Sequence, residues 1–248
     1  MSAKTSLTST AKTFSLVEIH HFIKSNLRKK LPDYSTRMER NQCCADLLSN
    51  FSINSTVLNI GAGQDGHLKK IMRGRNADTL DVDFSIGAEL SLNLDAINRL
   101  PFTDGEFEAV VSLDCLEHIE NLNQIFSELV RCANKLVIVS LPIGPYEVVR
   151  SLLRPQKSSR LNNSEGVFSK YYGLPTERVL DRHRWFLWAE DIARLAMQLN
   201  EQNSKVVNVK LMTRSEDRLI PNCLSRCNYS LGLNLFSPSL WMLIEVDG

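Results

Sequence analysis

The sequence predicts an α/β fold in which helices cover both faces of a doubly wound, mostly parallel sheet. Two observations support this prediction. Short continuous apolar runs alternate with segments whose apolar residues recur at helical spacing. The apolar runs lack the polar alternation of a half-exposed antiparallel sheet, so their strands should be buried on both faces. A chain of 248 residues with 43% hydrophobic residues is long enough to bury such a core.

The predicted elements follow one another in a regular order. Residues 1–13 are polar and are expected to form a flexible tail. Residues 14–52 should form two helices ahead of the sheet, the first capped by Ser15 and the second over 37–48. Beyond them, strands are predicted at "STVLNI", "ADTLDV", "FEAVVSL", "KLVIVSL", "SKVVNVKLM" and "LWMLIEV", and helices at "GHLKKIMR", "NLNQIFSELVRC" and "AEDIARLAMQLN".

The alternation stops between residues 142 and 188. This segment carries clusters of Gly, Pro, Ser and Asn without sustained periodicity, and it is too long for an ordinary connection. Basic residues outnumber acidic ones within it. We therefore expect a lid-like insertion over the active-site edge of a single domain that spans residues 14–248.

The strand at "STVLNI" ends in a glycine-rich turn. The turn has G-x-G-x-x-G spacing, formed by Gly61, Gly63 and Gly66, and Ala62 follows the first glycine. Such a turn places backbone N–H groups and a helix N-terminus against a ligand. The next strand ends near Asp83, whose carboxylate can accept hydrogen bonds from both hydroxyls of a ribose. These residues suit a dinucleotide and S-adenosylmethionine equally well.

The following stretch distinguishes the two cofactors. It contains, in order, Asp95-Ala96, Leu100-Pro101-Phe102, Asp104-Gly105-Glu106-Phe107-Glu108 and Leu116-Glu117-His118. Over residues 50–145 this order resembles the core of class I S-adenosylmethionine-dependent methyltransferases, especially the broad type that methylates small molecules. The resemblance implies a Rossmann-like sheet of seven strands with the last one antiparallel, and S-adenosylmethionine as the cofactor.

The resemblance also implies roles for individual residues. Asp95 would accept a hydrogen bond from the adenine amino group, and the backbone N–H of Ala96 would donate to a ring nitrogen. Phe84 or Leu116 would flank the base. Asn59 stands where the family usually carries an acid; its amide can accept from the cofactor's ammonium, but the lost charge costs on the order of 1 kcal/mol.

Charge near the site agrees with this cofactor. Acidic residues far outnumber basic ones between 81 and 120, which suits a sulfonium and suits a pyrophosphate poorly. Of these acids, Asp83, Asp95 and Asp114 are expected to contact the cofactor, and most of the others to be solvated.

Two other functions are compatible with parts of the sequence. Asn59 leaves open a catalytically inert cofactor-binding or interaction module. An NAD-dependent oxidoreductase is less favoured, because the nearest match to Tyr-x-x-x-Lys, which begins at Tyr146, has Arg150 in place of Lys.

Two histidines are candidates for deprotonating an acceptor hydroxyl. His118 lies just past the fourth predicted strand, where the acceptor should bind. His183 lies in "GLPTERVLDRHRWFLWAED", which is similar to a segment of a bacterial subset of these methyltransferases. There Asp181 could orient the imidazole and Trp185 could contact the acceptor. The structural alternative for His118 is that it caps or bridges the next helix. For the second segment, the alternative is that Asp181, Arg182 and His183 tie the insertion to the domain, with Trp185 and Phe186 as its apolar anchors.

The acceptor is expected to be a small molecule or glycan, methylated on oxygen or nitrogen. A net charge of +1 gives no general attraction to nucleic acid, and no appended RNA-binding module or Asn-Pro-Pro-Tyr-type motif is present. The absence of a signal peptide or membrane-spanning stretch and the presence of six cysteines predict a cytoplasmic protein with reduced thiols. Cys223-x3-Cys227 lacks a second ligand pair, so no metal is expected. The sequence predicts no particular oligomeric state.

Overall fold

A mixed sheet of eight strands lies at the centre of the fold, within the ranges that the computed structural model describes, 12–84, 88–153, 182–214 and 229–248. Its strands are β1 (Leu27–Lys30), β2 (Thr56–Ile60), β3 (Asp78–Asp83), β4 (Leu90–Ser91), β5 (Phe107–Leu113), β6 (Ala133–Pro142), β7 (Val206–Arg214) and β8 (Ser239–Val246). They are arranged in the order β1-β7-β8-β6-β5-β2-β3-β4.

Helices flank this sheet on both sides. In the described ranges they are α1 (Leu16–Asn26), α2 (Arg37–Asn50), α3 (His67–Arg73), α4 (Leu122–Cys132), α5 (Gly144–Leu153), α6 (Ala189–Gln202) and α7 (Tyr229–Phe236), with a short 3-10 turn at Leu116–His118. None of these helices is both long enough and apolar enough to span a bilayer.

The topology confirms the predicted fold class. Strand β8 pairs antiparallel with both β6 and β7, and the remaining pairs are parallel. The seven expected strands are therefore present, with the last one antiparallel. The structure adds β1, which pairs with β7 at one edge of the sheet. Its sequence, "LRKK", is short and basic, as edge strands often are, and it carries no apolar pattern from which it could be recognised.

The two N-terminal helices each begin at a capping box, α1 at the predicted Ser15 and α2 at Thr36, for which no cap was predicted. The Ser15 hydroxyl accepts from the backbone N–H of Glu18, whose carboxylate accepts from the backbone N–H of Ser15 in return. Thr36 and Glu39 form the same capping box at the start of α2. Such reciprocal caps satisfy backbone N–H groups that have no partner within the helix. Helix α2 ends two residues later than expected, at Asn50.

Helices α5 and α7 were not anticipated. Helix α5 lies inside the segment 142–188, whose sequence lacks sustained periodicity, and its first turn contains Gly144 and Pro145. Both are tolerated in a first helical turn, where the backbone N–H groups need no partner within the helix. Of the segment 142–188, the structure describes residues 182–188 as well as the part that contains α5. That 142–188 forms a lid-like insertion in a single domain stays a prediction, and most of the predicted tail lies outside the described residues.

Two apolar layers cover the two faces of the sheet. On one face, Cys44 and Leu48 of α2 pack in the same cluster as Trp241 of β8. On the other, Ile125 and Phe126 of α4 join a larger cluster that also takes in α1 and α6. Strands β6 and β8 are buried along nearly their whole length. This burial on both faces explains their continuous apolar runs.

Arg131 of α4 holds the segment between β4 and β5. Its guanidinium donates to the backbone oxygens of Leu100 (3.1 Å) and Phe102 (2.8 Å), and to the carboxylates of Asp104 and Glu128. Glu128 also accepts from the backbone N–H of Leu100 at 2.9 Å. The Leu-Pro-Phe and Asp motif is thus held in place on the path of the chain into β5.

Replacing Arg131 with Ala is expected to lower the free energy of unfolding by about 3 kcal/mol, because Glu128 would lose its partner in a buried site. Burial raises the pKa of Glu128, but hydrogen bonds from Arg131 and from the Leu100 N–H outweigh it, so the pKa lies below its ordinary 4.5. The stabilisation is therefore complete above about pH 4.5 and is lost as the pH falls further.

Urea denaturation at neutral and acidic pH measures both effects. Arg99→Ala is the matched control, because Arg99 is exposed and contacts only Asp104 among the hydrogen bonds described, at 3.3 Å. It should change stability by less than about 0.5 kcal/mol. An equal loss in both variants would contradict the structural role of Arg131.

Candidate functional site

A cleft of about 1120 Å³ opens at the carboxyl ends of the parallel strands, where open α/β sheets bind their ligands. It is slightly larger than a typical site for one small molecule, about 300–1,000 Å³. Ten of the predicted site residues line it: Asn59, Gly61, Ala62, Gly63, Asp83, Phe84, Asp95, Asp114, His118 and His183. Ala96 and Trp185 do not line it, and Asp181 lies outside the described residues.

The glycine turn forms one wall of the cleft and needs glycine for two reasons. Gly61 and Gly63 have φ angles of 77° and 69°, in the left-handed region that favours glycine. A Cβ atom on Gly61 would also lie 2.4 Å from both Cβ and Sγ of Cys115, which follows β5. The turn is fixed further by hydrogen bonds from the Gly61 N–H to the Val82 oxygen (2.9 Å) and from the Gly63 N–H to Asp83 (2.8 Å).

The residues at the end of β3 take the positions expected of ribose and base contacts. Asp83 lines the cleft, and through Oδ2 it also holds the glycine turn. Phe84 follows it with an exposed ring on the cleft wall. Leu116, the other residue expected to flank the base, is fully buried in the core and does not line the cleft. Of the two, Phe84 alone is accessible to a ligand.

Asn59 forms a buried pair with an acid that the sequence analysis did not single out. Its Nδ2 donates to Oδ1 of Asp81 at 2.8 Å, and the two residues are register partners on β2 and β3. Both side chains are almost inaccessible to solvent. Burial raises the pKa of Asp81, while the hydrogen bond from Asn59 acts in the opposite direction. Because a carboxylate only accepts, the amide nitrogen must face Asp81, which leaves Oδ1 of Asn59 as an acceptor for a ligand.

This pair predicts the behaviour of two variants. Asn59→Asp would place two carboxyl groups in one buried site and lower the free energy of unfolding by about 1–3 kcal/mol at pH 7. A shared proton raises the pKa of the pair in the folded state, so the penalty is greatest above the ordinary carboxyl pKa and shrinks as the pH falls towards 4.

The exchange variant Asn59→Asp/Asp81→Asn keeps one carboxylate and one amide, and should recover most of the lost stability. Urea denaturation of both variants at pH 7 and pH 5 makes the comparison. If the exchange variant is as unstable as the single variant, the Asn59–Asp81 hydrogen bond does not determine which residues fit here.

The groups predicted to contact adenine already make hydrogen bonds within the protein. Asp95 accepts the backbone N–H of Glu120 through Oδ1 (2.8 Å) and pairs with Arg184 through Oδ2 (2.7 Å). The backbone N–H of Ala96 donates to the Asn93 oxygen at 3.0 Å. The adenine contacts of Asp95 and Ala96 stay predictions, and a base would have to share or displace these hydrogen bonds.

Residues 182–188, here called the anchor segment, are tied to the loop after β5. The Arg184 guanidinium donates to the His118 oxygen (2.9 Å) and to the carboxylates of Glu120 and Asp95. The Trp185 indole N–H donates to the Ile119 oxygen at 2.7 Å. These contacts favour the structural alternative for Trp185, whose contact with the acceptor stays a prediction.

Helix α2 contributes cations that the sequence analysis missed. Arg40 pairs with Oδ2 of Asp114, whose Oδ1 accepts from the Ser140 hydroxyl at 2.6 Å. Burial lowers the pKa of Arg40, but the charge of Asp114 reverses this, so the guanidinium stays protonated. Arg37 also lines the cleft, beside Gly63. No motif marks these residues, because their place at the site depends on how α2 packs. Asp114 thus has two protein partners, and its predicted contact with the cofactor stays untested.

Cys115 is unsuited to act as a nucleophile, although it lines the cleft. Burial raises the pKa of its thiol to about 12. The thiolate, the reactive form, is therefore negligible at neutral pH.

The structure brings the two predicted histidines together at one end of the cleft. Their rings are perpendicular, with centroids 4.7 Å apart. Nδ1 of His118 lies 3.1 Å from the Arg182 oxygen, which can only accept, so Nδ1 carries the proton and Nε2 carries the lone pair of the neutral ring. Nε2 lies 3.7 Å from Oε1 of Glu117, a carboxylate only 1% exposed. His118 therefore bridges to the anchor segment rather than capping α4.

Comparison with known families identifies the fold around this cleft. Residues 58–139, which run from within β2 to within β6, match the family model described as a methyltransferase domain. The chain therefore contains a methyltransferase domain, in a sheet with the class I order. This match agrees with the S-adenosylmethionine cofactor that the sequence resemblance implies. A search of curated proteins finds no match.

Solved structures share the fold of this methyltransferase. The plantazolicin methyltransferase BpumL, solved with a pentazolic desmethylPZN analog and S-adenosylhomocysteine, is 13% identical; the match has a TM-score of 0.53 and covers 85% of this chain and 84% of that one. The methyltransferase domain of bacterial CtHen1 is 14% identical (TM-score 0.52, 84% and 98%). Phosphoethanolamine N-methyltransferase 2 of Haemonchus contortus, solved with S-adenosyl-L-methionine, is also 14% identical (TM-score 0.51, 94% and 57%).

Proposed function

We propose that this methyltransferase transfers a methyl group to oxygen or nitrogen of a small-molecule or glycan acceptor. The observation that carries the proposal is the continuity of the cleft, which joins the glycine turn and Asp83 to the paired imidazoles of His118 and His183. Its volume of about 1120 Å³ suits a cofactor and a small acceptor side by side. The alternative of an inert module loses its motivation, because Asn59 is not an isolated loss of charge but half of a pair with Asp81.

The donor and acceptor groups along the cleft fit S-adenosylmethionine. Asp83 offers a carboxylate to the ribose hydroxyls, and Phe84 offers an exposed ring to the base. Oδ1 of Asn59 offers an acceptor to the ammonium of the amino-acid tail, and Arg37 offers a cation to its carboxylate. When bound, this cofactor supplies an electrophilic methyl group.

The chain's own residues would orient the acceptor and receive its proton. Methyl transfer depends strongly on holding the acceptor in line with the transferred group. If the acceptor is a hydroxyl, the lone pair on Nε2 of His118 is placed to take the proton, while the Nδ1 hydrogen bond to Arg182 holds the ring. His183, buried against His118, is the second candidate.

Acceptor class and location complete the proposal. The near-neutral net charge supports a small acceptor over RNA. The unpaired thiols of Cys43, Cys44, Cys115 and Cys132 support a cytoplasmic location.

Asp83→Ala is expected to weaken binding of S-adenosylhomocysteine by about 1–3 kcal/mol, because charge-assisted hydrogen bonds to the ribose are lost. Asp83→Asn is the matched variant, since its side-chain oxygen can still accept from the Gly63 N–H and thus isolates the effect of charge. Calorimetry with S-adenosylhomocysteine and with NAD makes the measurement. Unchanged affinity in Asp83→Ala, or binding of NAD alone, would contradict the proposed cofactor contacts.

The acceptor class can be tested with a radiolabelled methyl donor and a fractionated cell extract. Label should enter the small-molecule or glycan fraction; label confined to RNA or protein would refute the proposed class.

With a hydroxyl acceptor, His118→Ala or His183→Ala should lower turnover by about 10²–10⁴-fold and leave S-adenosylhomocysteine affinity unchanged. His21→Ala, an exposed change on α1, is the control. Full turnover in both active-site variants would show that neither histidine is the base.

A further inference from the structure

Three side chains with metal-ligating atoms converge at the acceptor end of the cleft. They are Glu117 and His118 from the turn after β5 and His183 from the anchor segment. One ligand atom from each can be chosen so that all three lie within 4.8 Å of one another. All three residues also line the cleft, so a ligand that enters the cleft can reach the group.

The backbone holds these side chains together. The backbone oxygen of Glu117 accepts from the backbone N–H groups of Arg184 (2.9 Å) and Trp185 (3.3 Å). The His118 oxygen accepts from the Arg184 guanidinium. Because the anchor segment is fixed on the turn that carries Glu117 and His118, the three ligand atoms are brought together by protein contacts alone. A preorganised set of this kind avoids the entropic cost of gathering the ligands when an ion binds.

The protonation of His118 suits a ligand. Its Nδ1 donates to a backbone oxygen, which is the arrangement that commonly orients metal-binding histidines, with Nε2 as the atom that binds the ion. Nε2 lies 3.7 Å from Oε1 of Glu117. Two ligands of a tetrahedral ion with bonds of about 2.1 Å lie about 3.4 Å apart, so this pair is close to the required spacing.

We propose that Glu117, His118 and His183 bind a divalent transition-metal ion. Two imidazoles and one carboxylate form a ligand set used by zinc and other first-row ions, and three protein ligands leave a position open for a substrate or water. The ion would place positive charge beside a carboxylate and an imidazole that are both almost fully buried. No metal was expected from the sequence, because the ligands come from two segments far apart in the chain and have no recognisable spacing.

The open position would face the acceptor. On the proposed function, a hydroxyl that reached the ion would ionise at a lower pH than in water. With Nε2 of His118 bound to the ion, that proton would pass to water in the cleft, so the ion would replace His118 as the group that promotes deprotonation. This role rests on the proposed function, whereas binding of the ion depends only on the three side chains.

Metal binding can be measured on the full chain without acceptor or methyl donor. Protein stripped with a chelator is titrated separately with Mn²⁺, Co²⁺ and Zn²⁺ by calorimetry, and Co²⁺ binding is followed by visible absorption. We expect one ion per chain and a Co²⁺ spectrum of nitrogen and oxygen ligands. An intense near-ultraviolet thiolate band would place the ion on cysteine and overturn the proposal. So would the absence of saturable binding of all three ions below about 1 mM.

Variants identify the ligands. His118→Ala, His183→Ala and Glu117→Gln should each weaken binding at least about tenfold, since even the partners that orient metal ligands commonly contribute 10–100-fold. His21→Ala, which removes an exposed histidine from α1, should bind as the wild type does. Thermal unfolding of each variant separates loss of the site from loss of the fold, and His118→Gln is a milder change if His118→Ala unfolds.

Wild-type affinity in folded variants of both His118 and His183 would refute the assignment. Because these titrations contain neither methyl donor nor acceptor, a wrong acceptor class would leave their outcome unchanged. Conversely, transfer of label by a protein that binds no metal would support the proposed function and refute the proposed metal site.

Discussion

The close approach of Gly61 to Cys115 is the constraint on which the cleft depends. It brings the turn after β2 against the loop after β5, so the two adjacent parallel strands end in connections that touch. No side chain larger than hydrogen fits at Gly61, and its positive φ makes the same demand independently. The cofactor residues of the first turn and the ionisable residues beyond β5 can face one cleft because this contact holds their supporting loops together.

Buried charge is handled by local pairing throughout the fold. Asp81 is matched by the amide of Asn59, Asp114 by Arg40 and Ser140, and Glu128 by Arg131. The first two groups join elements that are separate in sequence, so a group that must be neutralised also fixes the position of its neighbour. Glu128 and Arg131 lie one turn apart on α4, and together they hold the backbone of Leu100. The cluster at Glu117 follows the same pattern, with two imidazoles in place of a guanidinium.

Local signals predicted the elements well and the contacts between distant segments poorly. The cap at Ser15, the glycine turn and the buried strands all depend on neighbours in sequence, and they lie where the sequence predicts them. Arg40 and Asp81 were missed because their importance depends on the packing of α2 and on strand register. His118 and His183 were each selected, but their ring contact, and the grouping with Glu117, arises from a tertiary contact that no spacing reveals.

The position of β8 has a consequence for how the chain can be assembled. This strand, formed by residues 239–246, lies between β6 and β7 and is hydrogen-bonded to both. Strand β7, and β1 beyond it, therefore cannot join the rest of the sheet until β8 is available. During synthesis, β2 to β6 can pair as they emerge, whereas the residues at 27–30 must wait for a partner near the other end of the chain. Such long-range closure slows folding, and it makes completion of this half of the sheet a late, cooperative event.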